Sequence, residues 1–330
     1  MSDTIRVLNV GAGFMASLHA KAYEKLDGVE NVGIVTRSIG SSEKLASELS
    51  GDIPRFTDFD EALEKTSPTA VAISTYTDSH YHYVSTALNK GLDVMQQSFQ
   101  LIEDHGKKSG KPILAHLNHP NFQWAVTADD LVKVALGGYM EIYNGHPGIN
   151  HLGDETRPGD VKIWDIANTI RIAEMKEAPL YGVATDDSHT YHGGDVSPGR
   201  GWVVVGADEL GGDALINAMK AGKFYASSGV EIKSIHFDNN KGKLSVEMKP
   251  IEGVTYTTEF IGTRKGYDAS AENTGIGEVF ASVEGNNAAF KIPDEALYLR
   301  ATINSSRKHP NPSFQGQKEQ AWVQPVGWKK

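Results

Sequence analysis

Short apolar runs alternate with helix-spaced stretches along the first part of the chain, the rhythm of a parallel α/β unit. Residues 5–10 (IRVLNV) form an apolar-rich run that stops at a glycine loop, and helical spacing follows over 15–26. The pattern then predicts a strand over 32–35, helices over 42–49 and 58–65, and a buried strand over 69–75 (TAVAIST). A helix over 81–89 and a strand over 92–95 complete this region, with Gly91 placed as a helix C-cap.

The alternation continues with a helix over 98–108 and a strand over 112–116. Thr127, with Asp130 three residues on, predicts a capping arrangement for a helix over 130–136. A strand over 140–143, an amphipathic helix over 161–175, a strand over 180–184 and a helix over 213–221 follow. From about Ile232 strand succeeds strand, over 244–248, 255–261, 279–283, 288–292, 298–303 and 321–323. That run predicts a C-terminal β-sandwich-like domain.

Composition narrows the function classes. With 39% hydrophobic and 22% charged residues the chain is of ordinary globular type, and 330 residues suffice for two or three domains. No stretch reaches the roughly 18 apolar residues of a membrane span, and no signal peptide is visible, so a cytoplasmic location and no membrane partner are expected. The absence of cysteine excludes disulfides and thiolate metal sites. A net charge of −10 with scattered Lys and Arg argues against a nucleic-acid partner, which needs a clustered basic face. Histidines concentrate between His105 and His192 beside several aspartates, a bias toward a metal or acid–base site.

The glycine loop Gly11-Ala12-Gly13-Phe14-Met15-Ala16 follows a strand and opens a helix, the context that GxGxxA requires. Gly11 permits the tight turn, and Gly13 lets the backbone approach a pyrophosphate. Ala16 allows close helix–strand packing, and the helix start at Phe14 and Met15 supplies amide donors. After the next strand an NAD binder places Asp or Glu for the ribose hydroxyl; here Thr36-Arg37-Ser38 stands instead. A cationic, hydroxyl-bearing loop suits a 2′-phosphate, so NADP is expected ahead of NAD, with Arg37 as its contact.

With VLNVGAGFMASLHAKAY, FTDFDEAL, AISTYTDSH and ALNKGLDVM, residues 1–95 resemble the Rossmann domain of the glucose–fructose oxidoreductase and inositol dehydrogenase family (Gfo/Idh/MocA). The resemblance implies that Thr75 and His80 lie near the nicotinamide, although Tyr76 replaces the family's proline. It then breaks. Where the family carries a Glu-Lys-Pro signature whose lysine serves proton and hydride chemistry, this chain reads Val94-Met95-Gln96-Gln97-Ser98. The second-domain motif with paired Asp and His is also missing.

Further on, Ala115-His116-Leu117-Asn118-His119-Pro120-Asn121 and Thr185-Asp186-Asp187-Ser188-His189 each follow a strand, where (β/α) barrels collect functional side chains. Asp187 and His189, one residue apart, share one side of an extended segment. Together with His119 they form a plausible donor set for zinc, manganese or iron. ILAHLNHPNFQW, EIYNGHPGINHLGD, YGVATDDSHTYHG, PGRGWVVV and FYASSGV resemble the later part of the PHP metal-dependent phosphoesterases. The resemblance implies His119 as the HPN ligand and Asp187 and His189 as the closing ligands. The family's opening His-x-His and its further early ligands are missing, and His80-Tyr81-His82 reads as a coincidence because it begins a helix. Glu141, His146 and His192 are candidates to line the same mouth. Arg200 reads equally as a phosphate contact or a structural ion pair, and Trp124 and Trp164 as core or cleft wall.

The expected architecture is therefore α/β: a Rossmann segment (1–95), a partial PHP-like (β/α) barrel (96–235) and a β-rich C-terminal domain (236–330). Two families meet near 95–98, each without its other half. Three functions remain open: a hybrid of NAD(P)-binding oxidoreductase-like and phosphoesterase-like parts with both sites incomplete, an active metal-dependent phosphoesterase, and a non-catalytic hybrid or misassembled reading frame. The expected partner is a small sugar, polyol or phosphoester, and a homo-oligomer is a further expectation.

Overall fold

A computed structural model describes residues 4–75, 79, 82–83, 86, 94–133, 138–191, 196–268 and 275–328. The chain divides into two compact units between Ile102 and Glu103.

In the first unit β1 (Ile5–Val10), β2 (Val29–Val35), β3 (Arg55–Phe56) and β4 (Ala70–Ile73) form a parallel sheet in the order β3-β2-β1-β4. Helices α1 (Phe14–Tyr23), α2 (Ile39–Glu48) and α3 (Phe59–Thr66) connect them. Apolar residues reach both faces of these strands, so two cores form. Leu8, Val10, Val35 and Phe56 pack on Phe59, Ala62 and Leu63 of α3. Ile34 packs with Ala16 and Ala20 of α1 and with Leu45 of α2. Strand order runs outward from β1 to β3 and then returns to β4 on the other side of β1. The C-terminal ends of β1 and β4 therefore border the topological switch point where α/β sheets bind ligands.

The strand expected over 92–95 is corrected at its described end: Val94 and Met95 open α4 (Val94–Ser109). Met, Gln and Leu favour helix, and no Gly or Pro interrupts the residues from Val94 to Gln100, so the short apolar start is drawn into the longer helical run.

In the second unit β5 (His116–Leu117), β6 (Tyr139–Asn144) and β7 (Tyr181–Thr185) form a three-stranded parallel sheet in the order β5-β6-β7. Helices α5 (Ala128–Lys133) and α6 (Asp160–Ile170) cover one face, where Met140 and Ile142 pack on Leu131, Ile163, Trp164 and Ala167. The predicted cap of α5 is present. Oγ1 of Thr127 accepts the Asp130 amide at 3.3 Å, and the Asp130 carboxylate accepts the Thr127 amide at 2.9 Å. The helix expected over 161–175 is α6 followed by one π-helical turn, Arg171–Met175.

The rest of the unit is antiparallel. Its elements are β8 (Trp202–Val205), α7 (Gly212–Lys220), β9 (Phe224–Ser227), β10 (Ile232–Asp238), β11 (Lys243–Met248), β12 (Tyr256–Arg264), β13 (Glu278–Glu284), β14 (Asn287–Lys291), β15 (Ala296–Lys308) and β16 (Lys318–Val326). They form a six-stranded sheet, β13-β12-β15-β16-β9-β8, and a three-stranded sheet, β10-β11-β14. Leu244, Val246 and Met248 from the small sheet meet Tyr256, Phe260, Leu299, Ala301 and Ile303 from the large one in a common core. This is the β-rich architecture expected at the C-terminus.

A (β/α) barrel is not formed among the described residues. After β7 the chain stops adding parallel strands, because β9 is taken into the antiparallel sheet by β16 through Ala226↔Trp322. A boundary at 235 would therefore cut between strands of one sheet, since β8 and β9 lie before it and β12 to β16 after it.

Candidate functional site

The glycine loop ends β1. Gly11 has φ +113°, and a β-carbon there would run into the carbonyl oxygen of Ser74, just past β4. Its amide donates to the Val35 carbonyl at 2.8 Å, and the Ser74 amide donates to the Val10 carbonyl at 2.8 Å. The loop is thus pinned between β2 and β4, and only glycine fits its first position. Gly13, at φ −76°, caps α1 and has no atom within 4 Å of where a β-carbon would stand. The N-cap Gly13 supplies no side-chain cap to α1 and no acidic residue sits in its first turn, so its leading amides have no partner within the helix or from its cap. Phe14 and Met15 are exposed there. That arrangement fits a dinucleotide pyrophosphate: a turn only glycine can make, room beside it, and unclaimed donors.

Arg37 follows β2 as an exposed side chain without a hydrogen bond or ion pair among the described residues. Thr36 beside it is buried and donates from Oγ1 to the Ser38 carbonyl at 2.7 Å, which shapes the loop. Oγ1 of Thr75 accepts from Ser79 at 2.8 Å. His80 lies outside the described residues.

In the second unit the C-terminal ends of β5, β6 and β7 form one mouth. Glu141, 2% exposed on β6, is its hub. It accepts the His119 amide at 2.5 Å, Asn144 Nδ2 at 2.9 Å and Thr185 Oγ1 at 2.8 Å, one donor from each strand end. Asn144 Nδ2 also reaches Asp187 Oδ2 at 3.3 Å, and Asn144 Oδ1 accepts the His146 amide at 2.8 Å. The His119 ring lies edge-on to Phe122, Phe122 lies edge-on to His146, and His146 lies edge-on to His189. His119 (φ +28°) and Asp187 (φ +49°) are both non-glycine residues in left-handed backbone, strain that tends to gather at functional sites.

His119, Asp187 and His189 thus all border the mouth around His146. Among the described residues, however, no three His, Asp or Glu side chains form a group that could hold a metal ion. His189 is exposed and the oxygens of Glu141 are already occupied by donors. These residues therefore do not fit an ion as they stand.

Arg200 is structural. It is 4% exposed, its Nη1 donates to the Gly145 carbonyl at 2.9 Å, and its Nε donates to Asn311 at 3.2 Å. The amides of Arg200 and Gly201 hold Asp186 Oδ1 at 2.5 and 2.8 Å, turning that carboxylate away from a ligand role. Trp164 is core, and Trp124 carries the Arg157 guanidinium at 3.9 Å from its ring centre. His116 has a buried Nδ1 without a partner. His192 lies outside the described residues.

Sequence reasoning missed Asp160. It opens α6, is 1% exposed, and has one oxygen without a partner. Burial, with the nearby Glu141 charge, pushes its carboxyl up to about 7. In the sequence it reads as an ordinary acidic residue in a helix first turn.

No helix among the described residues is long and apolar enough to cross a membrane. No curated protein matches the chain. Among solved structures, a myo-inositol dehydrogenase from Lactobacillus casei in complex with NAD(H) and myo-inositol is 16% identical, with a TM-score of 0.27, over 40% of this chain and 32% of that one. A scyllo-inositol dehydrogenase from the same organism is 22% identical, TM-score 0.27, over 32% and 35%. An NAD-binding protein from Listeria innocua is 21% identical, TM-score 0.26, over 52% and 52%. The chain spans about a third to a half of the length of these structures. At scores this low the likeness carries no further argument. The family comparison is local and specific: residues 5–97 match the oxidoreductase family, NAD-binding Rossmann fold (Gfo/Idh/MocA), so the first unit holds an NAD-binding Rossmann domain of that type.

Proposed function

We propose that the chain binds a nicotinamide dinucleotide on its first unit, NADP in preference to NAD, and a phosphoester-bearing small molecule at the β5–β7 mouth of its second unit. The observation that carries the first part is the Gly11–Ser74 fit beside an uncapped α1. A glycine forced by its neighbour, next to open space and a helix start without a side-chain cap, is what a pyrophosphate needs. Arg37 is the contact for the 2′-phosphate, and Thr75 and His80 belong to the nicotinamide side. Nicotinamide fluorescence titrated with NADPH and NADH tests this, and binding of neither at about 1 mM would remove it.

The second part is favoured by the strained pair His119 and Asp187, gathered with His189 around one mouth. On this reading the three residues would be the ones to hold a divalent ion of the zinc, manganese or iron type, although as they stand they do not fit one. Among the described residues no three donors converge, so the mouth as it stands holds no metal-activated nucleophile. Hydride transfer likewise lacks the lysine expected after Val94. Both constellations are read as incomplete, and low turnover is expected of each, because residues that act as a unit lose most of the rate together. The test pairs p-nitrophenyl phosphate with Mn²⁺ or Zn²⁺, and sugars and polyols with NADP⁺. Strong metal-dependent hydrolysis abolished by His189→Ala would establish the phosphoesterase as active.

A further inference from the structure

His146 and His189 meet edge to face at the mouth, with ring centres 5.4 Å apart, and their hydrogen bonds fix opposite tautomers. Nδ1 of His146 lies 2.9 Å from the Gly148 amide nitrogen. A backbone N–H only donates, so Nδ1 carries the lone pair and the proton of the neutral ring sits on Nε2. Nδ1 of His189 lies 2.8 Å from the Asp187 carbonyl oxygen. A carbonyl only accepts, so this Nδ1 carries a proton, and in the neutral ring the lone pair is on Nε2. A proton on Nδ1 of His146 would clash with the Gly148 amide, so this hydrogen bond holds the ring in its neutral form.

We infer that His146 is an oxyanion-binding residue of this mouth, its Nε2–H donating to an oxygen of a phosphate group. The inference rests on reading the second unit as a phosphoester site. A ring held this way is no metal ligand, since Nδ1 is taken and Nε2 has no lone pair. The neighbouring carboxylates already accept donors, Glu141 from His119, Asn144 and Thr185, and Asp187 from Asn144, which tempers their repulsion of an anion. Arg200 is turned to Gly145 and Asn311, so the neutral donor of His146 takes the role that a free guanidinium would otherwise fill.

Two measurements on the full chain separate the inference from the reading beneath it. In the long-range ¹H–¹⁵N spectrum of histidine-labelled protein, with His146→Phe and His189→Phe identifying the signals, His146 is expected as the Nε2–H tautomer and His189 as Nδ1–H. Inorganic phosphate is then titrated calorimetrically. His146→Phe should weaken its binding by about tenfold or more, the loss of one hydrogen bond to a charged group. His146→Gln, which still carries an N–H donor, should recover part of it. An Nδ1–H tautomer at His146 or unchanged phosphate affinity in His146→Phe would overturn the assignment. Wild-type protein with the expected tautomers but no phosphate binding would instead overturn the phosphoester reading and, with it, the role given to His146.

Discussion

The amide of His119 donates to Oε2 of Glu141 at 2.5 Å, so the residue expected as a metal ligand is held in its left-handed backbone by a buried carboxylate from the neighbouring strand. The same carboxylate accepts from Asn144 and Thr185, which makes Glu141 the element that sets the shape of the mouth. Glu141→Ala should leave the His119 amide and the Thr185 hydroxyl without an acceptor and Asn144 with Asp187 alone, at about 1–3 kcal/mol for each donor that stays buried. The unfolding transition of the second unit is expected to fall by at least about 5 °C in calorimetry. A shift near zero would show that the strand ends hold their positions without Glu141.

Gly11 and Gly13 separate folding from binding. Gly11→Ala places a β-carbon against the Ser74 carbonyl at φ +113°, so it should lower the stability of the first unit by about 1–3 kcal/mol and abolish dinucleotide binding. Gly13→Ala meets nothing within 4 Å and keeps an ordinary φ, so the fold should persist while the added methyl occupies the space a pyrophosphate would enter. The expected result is an unchanged melting temperature with binding weakened at least about tenfold. Equal losses of stability in both variants would contradict this division of roles.

Much of the fold was legible in both units where its signals are local. The glycine loop, the Thr127–Asp130 cap and the helix over 161–175 each depend on residues a few positions apart, and all three are in place. What was not legible depends on partners distant in sequence. Val94 and Met95 read as a strand until the helix beyond them claims them. Trp202 to Val205 and Phe224 to Ser227 belong to an antiparallel sheet only because β16 pairs with β9 about a hundred residues later. Glu141 looks like a lone charge in an apolar strand, and only the three donors arriving from separate strand ends give it a role.

Cofactor choice turns on Arg37, exposed and unengaged after β2. Arg37→Asp should remove the guanidinium for a 2′-phosphate and add an acceptor for a ribose hydroxyl. The NADP-to-NAD affinity ratio is expected to fall by about tenfold or more in fluorescence titrations. An unchanged ratio would mean that Arg37 faces solvent in the complex and that the 2′-position is read elsewhere.

Asp160 should give the second unit a pH-dependent stability of its own. Its carboxyl is raised from an ordinary 3.8 to about 7, by burial first and by the Glu141 charge second. At strongly acid pH both the folded and the unfolded chain hold the proton, and nothing is lost. Between 3.8 and about 7 the unfolded carboxyl ionises while the folded one stays protonated, so the unfolded state binds fewer protons. Stability then falls as pH rises, by up to about 1.4 kcal/mol per unit, and the loss levels off above the folded value. Asp160→Asn keeps an acceptor for the Asn121 amide and has no proton to lose. The variant is therefore expected to gain on the wild type steadily as pH climbs through this window and to hold a constant lead beyond it. Glu141→Gln, which removes the second cause, should move the wild-type curve part of the way. Denaturant midpoints measured across the window provide the test, and parallel curves for wild type and Asp160→Asn would show that Asp160 ionises freely in the folded protein.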